Sequence, residues 1–350
     1  ISSDIIESRP DYIAAQYNYI YFISSGNKTP KSDPTIHCLN KDSGEEIWKY
    51  SYDIGSGDEL TTPLIIGDMI IVCASNENFY CLNRFTGELY WTENVPFDPP
   101  RDENGNIDWT GRIFRSGPST PAYDSGALYF GSSDGKVYCY SVTKEKAEAI
   151  WTYPTNGCIY YVKPTFATIN GERILYIGNY EGYIYAINAN TGGLIWNKEV
   201  INYMPEGKRN PGSVDSISIA PENIIVCCSD GEMSKTNGYM LMLDPLTGKE
   251  IWKRDYVTSN PVMQEDGFIF YHDFNIYKLD WDGNEIWKSE YVNYIKGDMT
   301  EAGGIIYAME YSAGGSLVSI SAASGKIVQE VVVEPYTKTS FSMVQPTVLE

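Results

Sequence analysis

The stretch Met242-Leu-Asp244-Pro-Leu-Thr247-Gly248-Lys-Glu-Ile-Trp252 is one copy of a phrase that recurs along the chain. Three further full copies are Cys38-Leu-Asn-Lys-Asp-Ser-Gly44-Glu-Glu-Ile-Trp48, Cys81-Leu-Asn-Arg-Phe-Thr86-Gly87-Glu-Leu-Tyr-Trp91 and Ala186-Ile-Asn-Ala-Asn-Thr191-Gly192-Gly-Leu-Ile-Trp196. A copy one residue shorter before its glycine is Lys278-Leu-Asp280-Trp-Asp-Gly283-Asn-Glu-Ile-Trp287. Two are degenerate: the copy from Cys139 to Trp151 has lost its glycine, and the copy containing Gly325 has Gln329 where Trp belongs. Seven copies of one phrase make this a repeat protein, and the repeat decides the architecture.

Working outward, each phrase follows an apolar strand and a turn, as in Ala127-Leu-Tyr-Phe-Gly-Ser-Ser-Asp134-Gly135-Lys-Val-Tyr-Cys139. Asp-Gly between alternating runs predicts a two-residue hairpin with both turn residues at positive φ. A proline-led strand comes before it, at Pro63, Pro121, Pro164 and Pro261. The unit is thus four antiparallel strands, and four-stranded units repeated around an axis form a β-propeller. Pro10 and Pro346 lie 336 residues apart, which is seven units of 48. The expected fold is a single all-β domain over residues 1–350, a seven-bladed β-propeller of four-stranded antiparallel blades. An eight-bladed ring is the alternative. It requires residues 341–350, with Gln345-Pro346-Thr347-Val348, to begin a further blade of a longer chain; otherwise that last strand closes the ring in an exchanged position, and Leu349-Glu350 also reads as a cloning scar.

The phrase Ala-x-Asp-x-x-Thr-Gly-x-x-x-Trp resembles the docking motif of the pyrroloquinoline-quinone (PQQ)-like propeller repeat family, and the resemblance covers nearly the whole chain. It implies that Trp48, Trp91, Trp151, Trp196, Trp252 and Trp287 pack between blades, against the small residue and glycine of a neighbour. Residue chemistry agrees: glycine admits a tight turn and close approach, and indole supplies a large apolar face with one N–H to place. The family spans quinoprotein dehydrogenases, the BamB assembly lipoprotein and stress-sensor lumenal domains, so fold alone does not imply function. By analogy with it the protein is expected to be extracytoplasmic.

Composition narrows the partners. With 46 acidic against 26 basic side chains the formal charge is −20, which opposes binding to nucleic acid and to anionic membranes. The longest apolar runs are far short of the ~20 residues that span a bilayer, so no direct membrane insertion is expected.

Candidate chemistry is sparse. Cys38, Cys81 and Cys139 occupy the small slot of the repeat and read as buried reduced spacers. Cys73 is expected opposite Cys81 across a hairpin, where a cross-strand disulfide would be strained. Cys227-Cys228 resembles the vicinal pair of some quinoproteins, but strand neighbours point to opposite faces. His37 and His272 have no ligand at metal spacing, and no Gly-x-Ser-x-Gly elbow accompanies them, so no base is foreseen for a Ser or Cys triad. Asp102, Asn104, Asn106 and Asp108 alternate as in a Ca²⁺ loop, although the glycine is misplaced for an EF-hand and an Asn-Gly turn accounts for them equally well. No other cofactor is expected. A PQQ-dependent dehydrogenase would need a calcium-holding Glu/Asn/Asp set and a catalytic Asp, and that set is placed on no residues of this sequence.

What the repeat leaves unspecified lies between blades and inside the middle hairpins, segments that in a propeller emerge on one face. Residues 94–119 carry Trp109, Arg112, Phe114 and Arg115. Residues 152–163 carry Tyr160 and Tyr161, residues 197–214 carry Tyr203 and Arg209, and residues 288–297 carry Tyr291 and Tyr294. Aromatics with Arg are the composition of protein-binding hot spots. The expectation is a non-catalytic binding or scaffold propeller whose partner is a protein or peptide. The rival readings are a PQQ-dependent dehydrogenase and a propeller that binds or cleaves a glycan.

Overall fold

The computed structural model describes residues 10–24, 33–52, 61–74, 78–95, 119–159, 162–201, 213–229, 238–255, 260–295, 298–310 and 316–332. They form 28 strands in seven four-stranded sheets, with strands side by side in chain order and antiparallel. No described residue is helical, so none belongs to a helix able to cross a membrane. The seven sheets occupy residues 10–51, 64–94, 122–154, 165–199, 213–254, 262–288 and 300–332. The chain is therefore a seven-bladed β-propeller. Residues 341–350, on which the eight-bladed alternative depends, lie outside the described residues. By contacts the chain divides into two compact units, Ile1–Pro164 with Ile187–Leu194, and Thr165–Ala186 with Ile195–Glu350.

Prolines 63, 121, 164 and 261 each stand just before the innermost strand of a blade, where a missing N–H removes nothing from the ladder. The second and third strands are apolar almost without interruption, and Met69–Cys73 and Ala127–Gly131 are buried throughout. Both faces of these strands are covered, which removes the polar alternation of a half-exposed sheet. The outermost strand alternates instead, as Glu46–Ser51 does.

Every letter of the repeated phrase has a local task. The side-chain oxygen of Asn83 accepts from the amides of Phe85 (2.8 Å) and Thr86 (3.2 Å), and Asp244 does the same for Leu246 (3.1 Å) and Thr247 (2.8 Å). The Thr247 hydroxyl then accepts from the Lys249 amide at 3.3 Å. Glycine ends the turn in the left-handed region, at φ 73° for Gly87 and 67° for Gly248. Beyond it the ladder slips by one residue: Cys38 pairs with Trp48 but Leu39 with Glu46, leaving Ile47 as a bulge. Ile150, Ile251, Ile286 and Val328 are bulge residues at the same place in their blades. Each is between 46% and 60% exposed, and in the three blades with Ile the added twist turns the next side chain, the indole, inward.

That indole crosses to the following blade. Its N–H donates to a backbone carbonyl in the neighbour's turn: Trp48 to Arg84 (2.9 Å), Trp151 to Ala189 (2.9 Å), Trp196 to Pro245 (2.9 Å), Trp252 to Trp281 (3.0 Å) and Trp287 to Ala322 (3.2 Å). Its face fills the space a side chain would need. A Cβ on Gly87 would stand 2.7 Å from Trp48, and one on Gly248 would stand 2.8 Å from Trp196. Trp91 donates to Thr143 at 2.8 Å in the blade that has lost its glycine. All six indoles of the repeat therefore donate to a carbonyl of the following blade.

One expectation is corrected. The Asp134-Gly135 turn is not two residues with both at positive φ. The Ser132 amide bonds to Lys136 (3.0 Å) and the Gly135 amide to Ser132 (3.0 Å), and of the turn residues only Gly135 is left-handed. The extra residue lets the Asp134 carboxylate accept from the Tyr138 hydroxyl at 2.6 Å.

Gly248→Ala combines left-handed strain with a clash against Trp196, so it is expected to lower stability by about 2 kcal/mol. Trp196→Ala is expected to lower it by about 3 kcal/mol. The double variant should lose less than the sum, because both changes act on one contact. Denaturant titration of the three variants checks this.

Candidate protein-binding face

Hairpin turns and inter-blade connections are strapped together on the same side of a blade. In the third blade the Ser119 amide donates to the Gly131 carbonyl (2.7 Å) and the Ile159 amide to Ser132 (3.0 Å). Gly131 must lack a side chain, because a Cβ there would meet Ile159 at 2.1 Å. The Gly135 carbonyl accepts from the Thr155 amide and hydroxyl, both at 2.7 Å. In the fourth blade Val200 donates to Gly182 (2.8 Å) and Val214 to Asn179 (3.2 Å). In the sixth Val292 donates to Phe274 (2.9 Å).

These straps anchor the segments that carry the predicted contact residues. Trp109, Arg112, Phe114 and Arg115, and the candidate metal ligands Asp102, Asn104, Asn106 and Asp108, lie outside the described residues, between the buried anchors Val95 and Ser119. Tyr160 and Tyr161 also lie outside them, between buried Ile159 and Val162. Tyr203 and Arg209 do so too, between buried Ile201 and Ser213. Among the described residues no group of three His, Cys, Asp or Glu side chains comes together as a metal site. Tyr291 and Tyr294 are exposed, and Phe274, which the sequence reading passed over, stacks on Tyr291.

The cysteines carry no disulfide and all seven are buried. Cys73 does not face Cys81: it pairs with Phe79, while Cys81 pairs with Ile71, because the hairpin is shorter by two residues than the sequence suggested. Cys227 and Cys228 are consecutive residues of one strand, pairing with Ser216 and Val214. Burial pushes the Cys38, Cys81 and Cys227 thiols up to about 12 and Cys139 to about 11. All four stay protonated and unreactive in the folded chain.

A second correction concerns His37. No base was foreseen for a serine, yet His37 Nε2 stands 2.9 Å from Ser24 Oγ, and Nδ1 stands 2.8 Å from Glu46 Oε2. The order is that of a hydrolytic triad, assembled by strand register across residues 22 positions apart. The surroundings are those of a packed core. Ser24 is 6% and His37 7% exposed, and the imidazole lies flat on Phe22 at 4.6 Å and 7°. Tyr138 occupies the same slot in the third blade, stacked on Phe130 at 5.2 Å and 10° with its hydroxyl on Asp134. His37 is the histidine version of that ring, and Ser24 and Glu46 satisfy its two nitrogens.

Ser24 is therefore expected to resist a fluorophosphonate probe, read by intact mass. A probe adduct abolished by Ser24→Ala would show a working nucleophile. The thiols set an alkaline limit. Unfolded thiols ionise near pH 9 while the buried ones hold their protons to about 12, so the unfolded state binds fewer protons between these values. Stability from this source is complete below pH 9 and is lost up to about pH 12. Urea midpoints at pH 8 and pH 10.5 measure it, alongside native-state alkylation, which is expected to be negligible at pH 8.

The chain matches a family described as outer membrane protein assembly factor BamB over residues 32–275 and 236–347. BamB of Shewanella oneidensis is 25% identical over 176 residues, 48% of this chain and 40% of the relative. The dehydrogenase subunit of a quinone alcohol dehydrogenase from Komagataeibacter europaeus is 26% identical over 161 residues, covering 43% of this chain and 21% of the relative. The crystal structure of BamB from Moraxella catarrhalis aligns with a TM-score of 0.68 at 15% identity, over 98% of this chain and 93% of that one, a likeness of fold. The chain thus spans less than half the length of the first curated relatives it matches.

Proposed function

The chain belongs to the BamB family of PQQ-like propellers, and from that premise we propose that it is a non-catalytic, extracytoplasmic scaffold that binds a protein partner. The observation that carries the reading is the division of labour in the repeat. Its Asn, Gly and Trp residues are consumed by packing from blade to blade, and the segments anchored at the hairpin ends are left for recognition. Trp109, Arg112, Phe114, Arg115, Tyr160, Tyr161, Tyr203 and Arg209 are the contact residues in this reading, and local positive charge on an acidic body suits an acidic partner segment. A photo-crosslinking residue in segment 96–118, used in the source cells, would capture that partner. Replacing Trp109 and Arg115 by Ala is then expected to weaken binding by about 2 kcal/mol, roughly thirtyfold, with the melting temperature nearly unchanged. A large fall in melting temperature would make these residues packing elements instead.

The quinone alcohol dehydrogenase relatives support a second reading, to which no cofactor-binding residues are assigned. Incubation with PQQ and Ca²⁺ followed by a dye-linked alcohol oxidation assay separates the two, and turnover would displace the scaffold.

A further inference from the structure

The sixth blade carries a feature that neither packing nor the repeat requires. Its middle hairpin turns through Asp273 and Phe274, at φ 42° and 60°. The left-handed region suits glycine and is a strained place for a bulky aromatic. Glycine does the same backbone task in other blades: Gly135 (φ 80°) and Gly182 (φ 77°) end their turns and offer a carbonyl to the next connection. Phe274 makes that same bond to Val292, so the backbone has no use for its ring. Burial does not hold the ring either, since it is 40% exposed.

The ring stacks on Tyr291, itself 66% exposed, with centroids 5.6 Å apart and planes at 15°. Tyr294, 38% exposed, follows three residues later, and the Val292 amide beside Tyr291 donates to the Phe274 carbonyl at 2.9 Å. Turn and connection are thus tied together, and the two rings are held side by side before any ligand arrives.

Charge indicates what such a surface accepts. Exposed Asp273 and Glu290 directly precede the two rings in sequence. Residues 260–295 hold seven carboxylates against two lysines, of which Lys278 is tied to Asp266 at 2.6 Å and Lys288 lies over Tyr277 at 5.0 Å, within the field of Asp273. Elsewhere the chain covers aromatic faces with its own cations: Arg84 lies over Phe85 at 4.6 Å and Lys253 over Tyr239 at 3.4 Å. Among the described residues none lies over Phe274 or Tyr291.

We propose that Phe274 and Tyr291, flanked by Asp273 and Glu290, form a binding platform for an arginine or lysine side chain of a basic partner segment, held by cation–π stacking and carboxylate pairing. This deepens the scaffold reading by naming the chemistry of a second contact. The probe is a hexa-arginine peptide, with its hexa-citrulline counterpart as the uncharged control, titrated against the full chain at physiological salt. Hexa-arginine is expected to bind at least about tenfold more tightly than hexa-citrulline. Phe274→Gly is expected to lose about tenfold in that affinity while melting at the same or a higher temperature, because the strain is relieved. Absence of binding to the wild type, or equal binding by Phe274→Gly and Tyr291→Ala, would overturn the platform. A captured partner that binds Phe274→Gly as tightly as wild type would also overturn it and leave the scaffold standing. Peptide binding that depends on Phe274 in a chain that captures no partner would do the reverse.

Discussion

The structure depends on one contact, an indole laid against a left-handed glycine with its N–H donated to a carbonyl of the same turn. A blade has two apolar faces and cannot bury them alone, so its stability is that of its interfaces. The contact repeats from Trp48 on Gly87 to Trp287 on Gly325. It satisfies the indole donor, covers the ring, and fixes the distance between consecutive blades by excluding a Cβ. A bulge in the outermost strand aims the ring, which is why Ile47, Ile150, Ile251 and Ile286 are left facing solvent just before their indoles.

Polar groups elsewhere follow the same economy. Middle strands covered on both faces must satisfy every donor they bury. Tyr138 meets Asp134, and His37 meets Ser24 and Glu46. The resulting Ser–His–Glu order shows how readily a packing solution reproduces the outline of a catalytic one. What distinguishes it is access: a serine sealed among core side chains leaves a substrate no approach.

Recognition falls to what the repeat does not use. The connections are strapped to glycine-bearing turns by backbone bonds, so insertions between the straps leave the blades undisturbed. Phe274 differs from the glycines in equivalent turns by adding a side chain to an unchanged backbone role, and its ring lies against Tyr291 on the connection. Such a position takes on a new surface without a change in the blade beneath it.

Strand number, antiparallel order and blade count were legible in the sequence. They follow from residues close together in the chain: an Asn that closes a turn, a glycine four residues on, an indole four after that. The proximity of Ser24 to His37, the separation of Cys73 from Cys81, the bulge before Trp48, Trp91, Trp151, Trp252 and Trp287 and the stacking of Phe274 on Tyr291 were not. Each depends on strand register or on how a connection folds back over a hairpin. A shift of one residue in register turns every side chain to the opposite face, and the linear pattern of apolar residues does not specify register at that precision. Tertiary pairing decided it, and with it which side chains meet.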